Sequence, residues 1–409
     1  MKNNLGKNIS MLYIMNIAKI IFPMLTLPYL TRVLTMDCYG VVSYVKAVMQ
    51  YMQIIVDFAF VLSGTKDIVR AKDDPAKLRE ENGTILIAKI GLSGIALVIL
   101  CICTLIIPIL KKNVLYTMLS FIPVFLTCFL FDYLFRGLER MEVITIRYVV
   151  MKGFSTILTF VFVHGDVDVL WIPVLDIIGS LIAVVLVFFE VRKLHIDFAF
   201  SGLKAVVSKV VDSAVYFISS MATTAFMALN TLVIGIYLDT TQVAYWSVCL
   251  QMTNAVQSLY KPLTDGIYPH MVTTRNFGVI KKALKIYMPI ICAGCVFTLL
   301  VAKYAMIIVG GSEYAAAANV LRCLVPVLFF SFLSMLFGWP CLGAIDRQNQ
   351  VTKSTVITAI VQILGLILLA VANRFTVINI ALLRGFTEAL MSIIRMYYCY
   401  RYRKEFKNI

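Results

Sequence analysis

Residues 84–109 read TILIAKIGLSGIALVILCICTLIIPI, an apolar run long enough to cross a membrane as a single helix. A helix needs about 20 apolar residues to span the roughly 30 Å hydrocarbon core of a bilayer. Similar runs recur along the whole chain. We predict twelve transmembrane helices, near residues 9–34, 41–62, 84–109, 114–135, 143–163, 167–189, 210–235, 243–269, 286–309, 318–342, 353–372 and 376–397.

The composition agrees with an all-α polytopic membrane protein. Apolar residues make up 61% of the 409 residues and charged residues only 14%, whereas soluble domains are about 45–50% apolar and about 25% charged. The 37 Lys and Arg exceed the 22 Asp and Glu and give a net charge of +15. On a chain this apolar, basic residues sort to the cytoplasmic side of a membrane. We therefore expect no nucleic-acid partner.

The connections between the predicted spans fix the orientation. With the N-terminus inside, the inner connections and the C-terminal tail hold 22 Lys and Arg, and the outer connections hold only Lys111, Lys112 and Arg374, while Arg32 lies at the outer end of the first span. Because cytoplasmic loops carry the excess of basic residues, both termini are predicted to be cytoplasmic.

The spans group into two predicted lobes of six helices. Residues 1–189 form the N-lobe, 190–209 an amphipathic helix on the cytoplasmic surface, 210–397 the C-lobe, and 398–409 a basic cytoplasmic tail. An even number of helices per lobe gives both lobes the same orientation, as in a parallel internal repeat.

The second span carries a polar stripe. Lys46, Gln50, Gln53 and Asp57 follow at i, i+4, i+7 and i+11, so they lie on one face of a helix. Ionisable groups at bilayer depth are costly and normally face the protein interior or a water-filled path. The stripe predicts a cavity lining, although polar residues can also simply join neighbouring helices.

Matching polar residues recur on three other spans. Asn254, Ser258, Lys261 and Asp265 repeat the spacing on the eighth span, which supports the internal repeat. The candidate substrate-binding residues are Asn16, Lys19, Lys46, Gln50, Gln53, Asp57, Asn230, Asn254 and Lys261.

Other intramembrane charges allow two interpretations. Lys152 and Asp176 are near the middle of their spans and predict an ion pair. Arg384 lies one turn before Glu388, which favours a local ion pair, but Glu388 could instead couple transport to H⁺ or Na⁺. Asp212 is a second coupling-ion candidate.

No pattern for catalysis or metal binding is present. The sequence has no GxSxG, P-loop or HExxH motif, and its three His are far apart. The ten Cys include one CxxC, Cys292 and Cys295, within an apolar run, which favours buried small residues over a metal site. We expect a transporter with no bound cofactor, driven by an ion gradient, the membrane potential or the substrate's own gradient.

Two short motifs in the N-terminal region resemble the sequence signature of a known protein family. Residues 27–40 read LPYLTRVLTMDCYG, and DFAF and SGTKD begin at residues 57 and 63. They resemble the signature of Wzx-type oligosaccharide repeat-unit flippases, in the multidrug/oligosaccharidyl-lipid/polysaccharide (MOP) exporter superfamily. That family usually has Gly before the acidic residue that follows RVL and Gly within DFG, where this chain has Thr35-Met36 and Ala59.

The resemblance implies two six-helix lobes around a central cavity and transport by alternating access. It implies undecaprenyl-diphosphate-linked oligosaccharide as the substrate, moved from the inner to the outer leaflet of the bacterial cytoplasmic membrane for capsule or O-antigen-like (lipopolysaccharide) synthesis. A polysaccharide polymerase and a chain-length regulator would be partners, besides the membrane lipids. Lysines would meet the diphosphate and amides the sugars.

Three other functions stay open at the level of sequence. A lipid II flippase of peptidoglycan synthesis and a cation-coupled multidrug exporter share the superfamily. A membrane-embedded polysaccharide polymerase or ligase is an enzyme and would need a large outer loop, but the longest predicted outer connections have only about ten residues.

Overall fold

The computed structural model of the chain is mostly α-helical. It describes residues 2–407, without the side chains of residues 2–6, 9, 215, 219–220 and 222–227. The helices are α1 Lys2–Val33, α2 Met36–Asp57, α3 Phe60–Ala71, α4 Pro75–Ile106, α5 Pro108–Lys112, α6 Val114–Leu126, α7 Asp132–Gly137, α8 Met141–Phe162, α9 Trp171–Lys193, α10 Leu203–Tyr237, α11 Thr240–Ser258, α12 Lys261–Thr274, α13 Phe277–Gly310, α14 Ala318–Leu336, α15 Gln348–Val371 and α16 Val377–Arg401. No β-strand occurs in the described part of the chain, which confirms the predicted all-α class.

Ten helical segments among the described residues are long and apolar enough to cross a membrane. They match predicted spans one to six and nine to twelve. Many of their large apolar side chains are exposed, such as Leu105 at 73% and Val371 at 79%, which is expected of helices that contact lipid. The predicted seventh and eighth spans fall on α10 and on α11 with α12, and as spans they stay predictions.

The chain divides into two compact units, Met1–Ile236 and Tyr237–Ile409. The core of the first unit contains Phe60, Ile85 and Leu134, from α3, α4 and α7. The core of the second contains Phe332 and Leu336 of α14. The predicted division into two six-helix lobes is not tested by this grouping and stays a prediction.

The second span is interrupted where a left-handed turn separates α2 from α3. Phe58 has φ 40° and Ala59 has φ 58°. A non-glycine residue in this region costs about 1–2 kcal/mol. Ala59 occupies the position where the related family usually has Gly. The turn between α2 and α3 is therefore formed here at the conformational cost of a non-glycine residue with positive φ.

The predicted eighth span, 243–269, consists of two helices in the structure. Helix α11 ends at Ser258 and α12 begins at Lys261. Pro262 has no N–H to donate to the carbonyl of Ser258, so the α-helical hydrogen bonding cannot continue.

The predicted amphipathic helix at 190–209 is also wrong in conformation. Helix α9 continues to Lys193, residues 194–202 form a turn and an extended segment, and α10 begins at Leu203. Apolar residues alternate here at positions 194, 196, 198 and 200, which is the period of extended chain. The N–H of Ala199 donates a hydrogen bond to the carbonyl of Arg79 (3.1 Å), so this segment contacts the first turns of α4.

A charged cluster secures α10 within the first unit. The Lys209 ammonium lies 3.0 Å from Asp67 and 2.6 Å from Glu81. Burial disfavours the charge of Lys209, but hydrogen bonds to Glu81 and Asp67 outweigh that effect and raise its pKa above the ordinary value. The group is therefore charged at neutral pH, and its contribution to stability is lost only when the pH rises through the raised pKa.

Candidate functional site

A cavity of about 410 Å³ lies inside the first unit. The polar face of α2 contributes Lys46, Gln50 and Gln53 to its wall. Helices α1, α6, α8 and α9 supply the rest, with Phe22 and Pro123 among the apolar lining residues. Three of the four residues in the predicted stripe therefore line one cavity.

The charge of the cavity comes from three lining residues. Lys152 of α8 pairs with Asp176 of α9, with 2.8 Å between Nζ and Oδ1, and the hydroxyl of Ser155 donates to the same oxygen at 2.7 Å. This confirms the predicted ion pair. Lys46 is exposed in the cavity wall and forms no salt bridge with any described residue. Two lysines and one aspartate give the lining a formal net charge of +1.

Asp57, the fourth residue of the stripe, lies behind the lining instead of in it. Its Oδ1 is 2.9 Å from the ammonium of Lys89, and its Oδ2 accepts a hydrogen bond from Gln53 Nε2 at 2.8 Å. The structure thus pairs the half-buried Asp57 with the buried Lys89, and Asp57 supports a lining residue.

Lys89 is the residue that the sequence reasoning missed. It lies near the start of the predicted span 84–109 and is only 4% exposed. Asn82, Lys89 and Ser93 are all buried and follow at intervals of seven and four residues on α4. The same rule that revealed the stripe on α2 would have placed these three on one inward face.

The predicted residues of α1 and α10 lie outside the cavity wall. The ammonium of Lys19 is 5.6 Å from the ring centre of Tyr148, itself a lining residue, so Lys19 stands next to the cavity. Asn16 is half-buried on the same helix, and Asn230 is buried in α10.

The candidates of the second unit are not among the residues that line this cavity. Asn254 lies on α11 and Lys261 on α12, and both are exposed. The turn at residues 259–260 interrupts the predicted stripe between them. A role for these residues in substrate binding stays a prediction.

The two coupling-ion candidates differ in environment. Asp212 is exposed near the start of α10. Glu388 is 3% exposed, pairs with Arg384 at 3.0 Å and accepts a hydrogen bond from Ser334 at 2.8 Å. The predicted local ion pair is confirmed. Among the described residues, no group of three or more His, Cys, Asp or Glu could hold a metal ion.

An all-helical fold that crosses the membrane many times, with charged and amide groups around an internal cavity, is that of a membrane transporter. Solved structures agree on the fold. An inward-facing multidrug resistance MATE family transporter of the MOP superfamily matches with a TM-score of 0.67 at 14% identity, over 94% of this chain and 98% of that one. The lipid II flippase MurJ in an inward closed conformation matches with the same TM-score and identity, over 96% of this chain and 87% of that one.

The sequence profile of the "Polysaccharide biosynthesis protein" family matches residues 5–275, and the chain belongs to that family. A protein of Escherichia coli (strain K12) named "Putative O-antigen transporter" is 25% identical over 403 residues, which cover 97% of this chain and 96% of the relative. A Shigella dysenteriae protein of the same name is 25% identical over 369 residues, 88% of this chain and 91% of the relative. These matches confirm the resemblance to a polysaccharide transporter family and the expectation of a transporter.

Proposed function

We propose that this protein carries undecaprenyl-diphosphate-linked oligosaccharide units from the inner to the outer leaflet of the bacterial cytoplasmic membrane, by alternating access. The observation that carries the proposal is Lys46, an exposed ammonium that forms no salt bridge with a described residue and lies in the wall of a net cationic cavity. The polysaccharide family and the O-antigen transporter relatives support this class of substrate.

The chemistry of the cavity suits the head group of such a lipid. A diphosphate needs a cationic partner, and Lys46 supplies one that no described carboxylate neutralises at salt-bridge distance. Gln50, Gln53 and Ser120 also line the cavity and offer polar groups to a saccharide. The volume is within the usual range for small-molecule sites, about 300–1,000 Å³. The polyprenyl chain can stay in the bilayer, so only the head group needs shelter.

The orientation of the chain gives the transport its direction. With both termini in the cytoplasm, the inner connections face the compartment in which the lipid-linked unit is assembled. A polysaccharide polymerase and a chain-length regulator would take over the unit at the outer leaflet. The energy source would be an H⁺ or Na⁺ gradient, or the substrate's own gradient.

The variant Lys46→Gln tests the proposal, with Lys111→Gln as the matched control at an exposed position outside the cavity. We expect Lys46→Gln to weaken binding of undecaprenyl diphosphate to the purified protein by about 10-fold or more, the loss of one hydrogen bond to a charged group. In cells, it should reduce surface polysaccharide and leave lipid-linked saccharide at the inner leaflet. Equal binding by both variants and the wild type would contradict the proposal.

Growth and dye-resistance measurements on the same cells distinguish the proposed function from the two alternative transporter functions. A lipid II flippase would be essential for growth, whereas loss of a capsule or O-antigen flippase is tolerated when the lipid carrier is not sequestered. A multidrug exporter would raise resistance to cationic dyes on overexpression. A cavity with net positive charge disfavours a cationic substrate.

A further inference from the structure

We infer that Gln53 recognises the sugar of the substrate by accepting a hydrogen bond from it. Asp57 and Lys89 are positioning residues that hold the Gln53 amide with its oxygen toward the cavity. The ligand group is a hydrogen-bond donor, namely a sugar hydroxyl or an acetamido N–H. The inference rests on the proposed function, because it concerns the same cavity and substrate.

The orientation of the amide follows from the groups around its nitrogen. Gln53 Nε2 lies 2.8 Å from Asp57 Oδ2 and 3.0 Å from Thr127 Oγ1. A carboxylate only accepts hydrogen bonds. The hydroxyl of Thr127 donates its single hydrogen to the carbonyl of Val124 at 2.6 Å, so it also acts as an acceptor toward Gln53. Both neighbours therefore require the NH₂ end of the amide.

The carbonyl oxygen of Gln53 is left for the ligand. Both hydrogens of the amide nitrogen are engaged, so the side chain has no donor to offer. Its Oε1 accepts no hydrogen bond from any described residue and is not among the buried unpaired polar atoms. Gln53 lines the cavity. The group presented there is thus an acceptor, which repels a phosphate oxygen and suits a hydroxyl or N–H.

Lys89 makes this arrangement stable inside the membrane. Its ammonium is 2.9 Å from Asp57 Oδ1 and donates to the carbonyl of Thr127 at 3.1 Å. Without Lys89, the carboxylate of Asp57 would be an uncompensated charge at bilayer depth, which is expensive. The ion pair holds the Asp57 side chain in place, and Asp57 in turn holds the amide nitrogen of Gln53. The order of contacts runs from Lys89 through Asp57 to Gln53.

The spacing of Lys46 and Gln53 along α2 lets each residue contact a different part of the head group. Lys46 and Gln53 are seven residues apart on one face, which corresponds to about 10 Å along the helix axis. Lys46 meets the diphosphate by charge, and Gln53 meets the sugar by hydrogen bonding. The head group would lie along α2 between them.

The test compares two probes on the same purified full-length protein in nanodiscs. Undecaprenyl diphosphate carries the diphosphate alone, and undecaprenyl-diphospho-N-acetylglucosamine adds one sugar. The quantity measured is the ratio of the two dissociation constants, because a general loss of folded protein affects both probes alike. Undecaprenol, which has no phosphate, serves as the reference lipid.

We expect Gln53→Met to reduce the preference for the sugar-bearing probe by about 2- to 10-fold, the effect of one neutral hydrogen bond. The double variant Asp57→Asn/Lys89→Met, which removes both charges together, should reduce it similarly. Lys89→Arg keeps the ion pair and should retain the wild-type ratio. This rescue by a conservative change distinguishes positioning from simple packing.

The two proposals fail in different ways. If the wild type binds undecaprenyl diphosphate no better than undecaprenol, the proposed function is overturned, and the inference with it. If the wild type prefers the diphosphate but Gln53→Met leaves the ratio unchanged, only the inference is overturned. A double variant with the wild-type ratio would remove the positioning role from Asp57 and Lys89.

Discussion

At the scale of single residues, the charge of the cavity depends on which lysine is paired. Asp176 neutralises Lys152 at 2.8 Å, and Lys46 forms no salt bridge with a described residue. A fully paired lining would offer a diphosphate no net attraction, and two unpaired lysines would retain it more strongly. Since a transporter must both bind and release its substrate, a net charge of +1 is a workable compromise.

Removal of the carboxylate from this pair should tighten anion binding. Asp176→Asn raises the net charge of the lining from +1 to +2. At an effective dielectric constant of about 20, a second charge about 8–16 Å from the ligand contributes about 1–2 kcal/mol, so we expect undecaprenyl diphosphate to bind about 5- to 30-fold more tightly. The gain should shrink with added salt, because salt screens the interaction.

The double variant Asp176→Asn/Lys152→Met is the control for that prediction, because it restores a net charge of +1. Its affinity for undecaprenyl diphosphate should return close to that of the wild type. An affinity of Asp176→Asn below that of the double variant would show that the charge of the pair does not govern anion binding.

At the scale of elements, the extended segment 194–202 depends on close backbone contact with α4. A Cβ atom added at Gly83 would lie 1.9 Å from the carbonyl oxygen of Ala199. Only glycine allows the two backbones to approach this closely. Gly91 lies on the same helix and would meet nothing within 4 Å if it gained a Cβ, so it is a natural reference.

Gly83→Ala should therefore destabilise the first unit by about 1–3 kcal/mol, the usual cost of overpacking. The measurement is the thermal unfolding midpoint of the purified protein in detergent. Gly91→Ala gains helix propensity, worth up to about 1 kcal/mol, without a clash, and it should unfold at the same or a higher temperature. Equal midpoints for the two variants would contradict the contact between Gly83 and Ala199.

The elements also show how far the sequence alone could lead. The helical class and ten of the predicted spans follow directly from apolar runs of membrane length. Pro262 marks the turn in the sequence, but a hydropathy average over a window of membrane length does not show such a break. The extended segment 194–202 was not predictable in the same way, since its conformation depends on a glycine more than 100 positions away.

For the candidate site, the stripe on α2 predicted three lining residues, because periodicity shows which residues share a face. It did not predict the partner of each residue. The stripe predicts Asp57 as a lining residue, but in the structure Asp57 forms an ion pair with Lys89 of α4 and does not line the cavity. Periodicity along one helix carries no information about the helix opposite. That information appears only when the helices pack.

At the scale of the whole molecule, the +15 net charge and the apolar composition have separate causes. Most basic residues lie in connections predicted to be cytoplasmic, where they set the orientation. Only a few lie at bilayer depth, and among these Lys89 and Lys152 are paired with aspartates. The chain is thus strongly basic, but the lining of the cavity in its first unit has a formal net charge of only +1.

The orientation can be tested by thiol labelling in intact cells. The exposed cysteines Cys101 and Cys292 are first replaced by serine. Val167, which is 96% exposed between α8 and α9, and Lys72, exposed between α3 and α4, are then changed to cysteine one at a time. With both termini in the cytoplasm, a membrane-impermeant maleimide should label Val167→Cys in intact cells, and Lys72→Cys only after permeabilisation. The cysteine-depleted parent is the control, and labelling of Lys72→Cys in intact cells would invert the orientation on which the direction of transport depends.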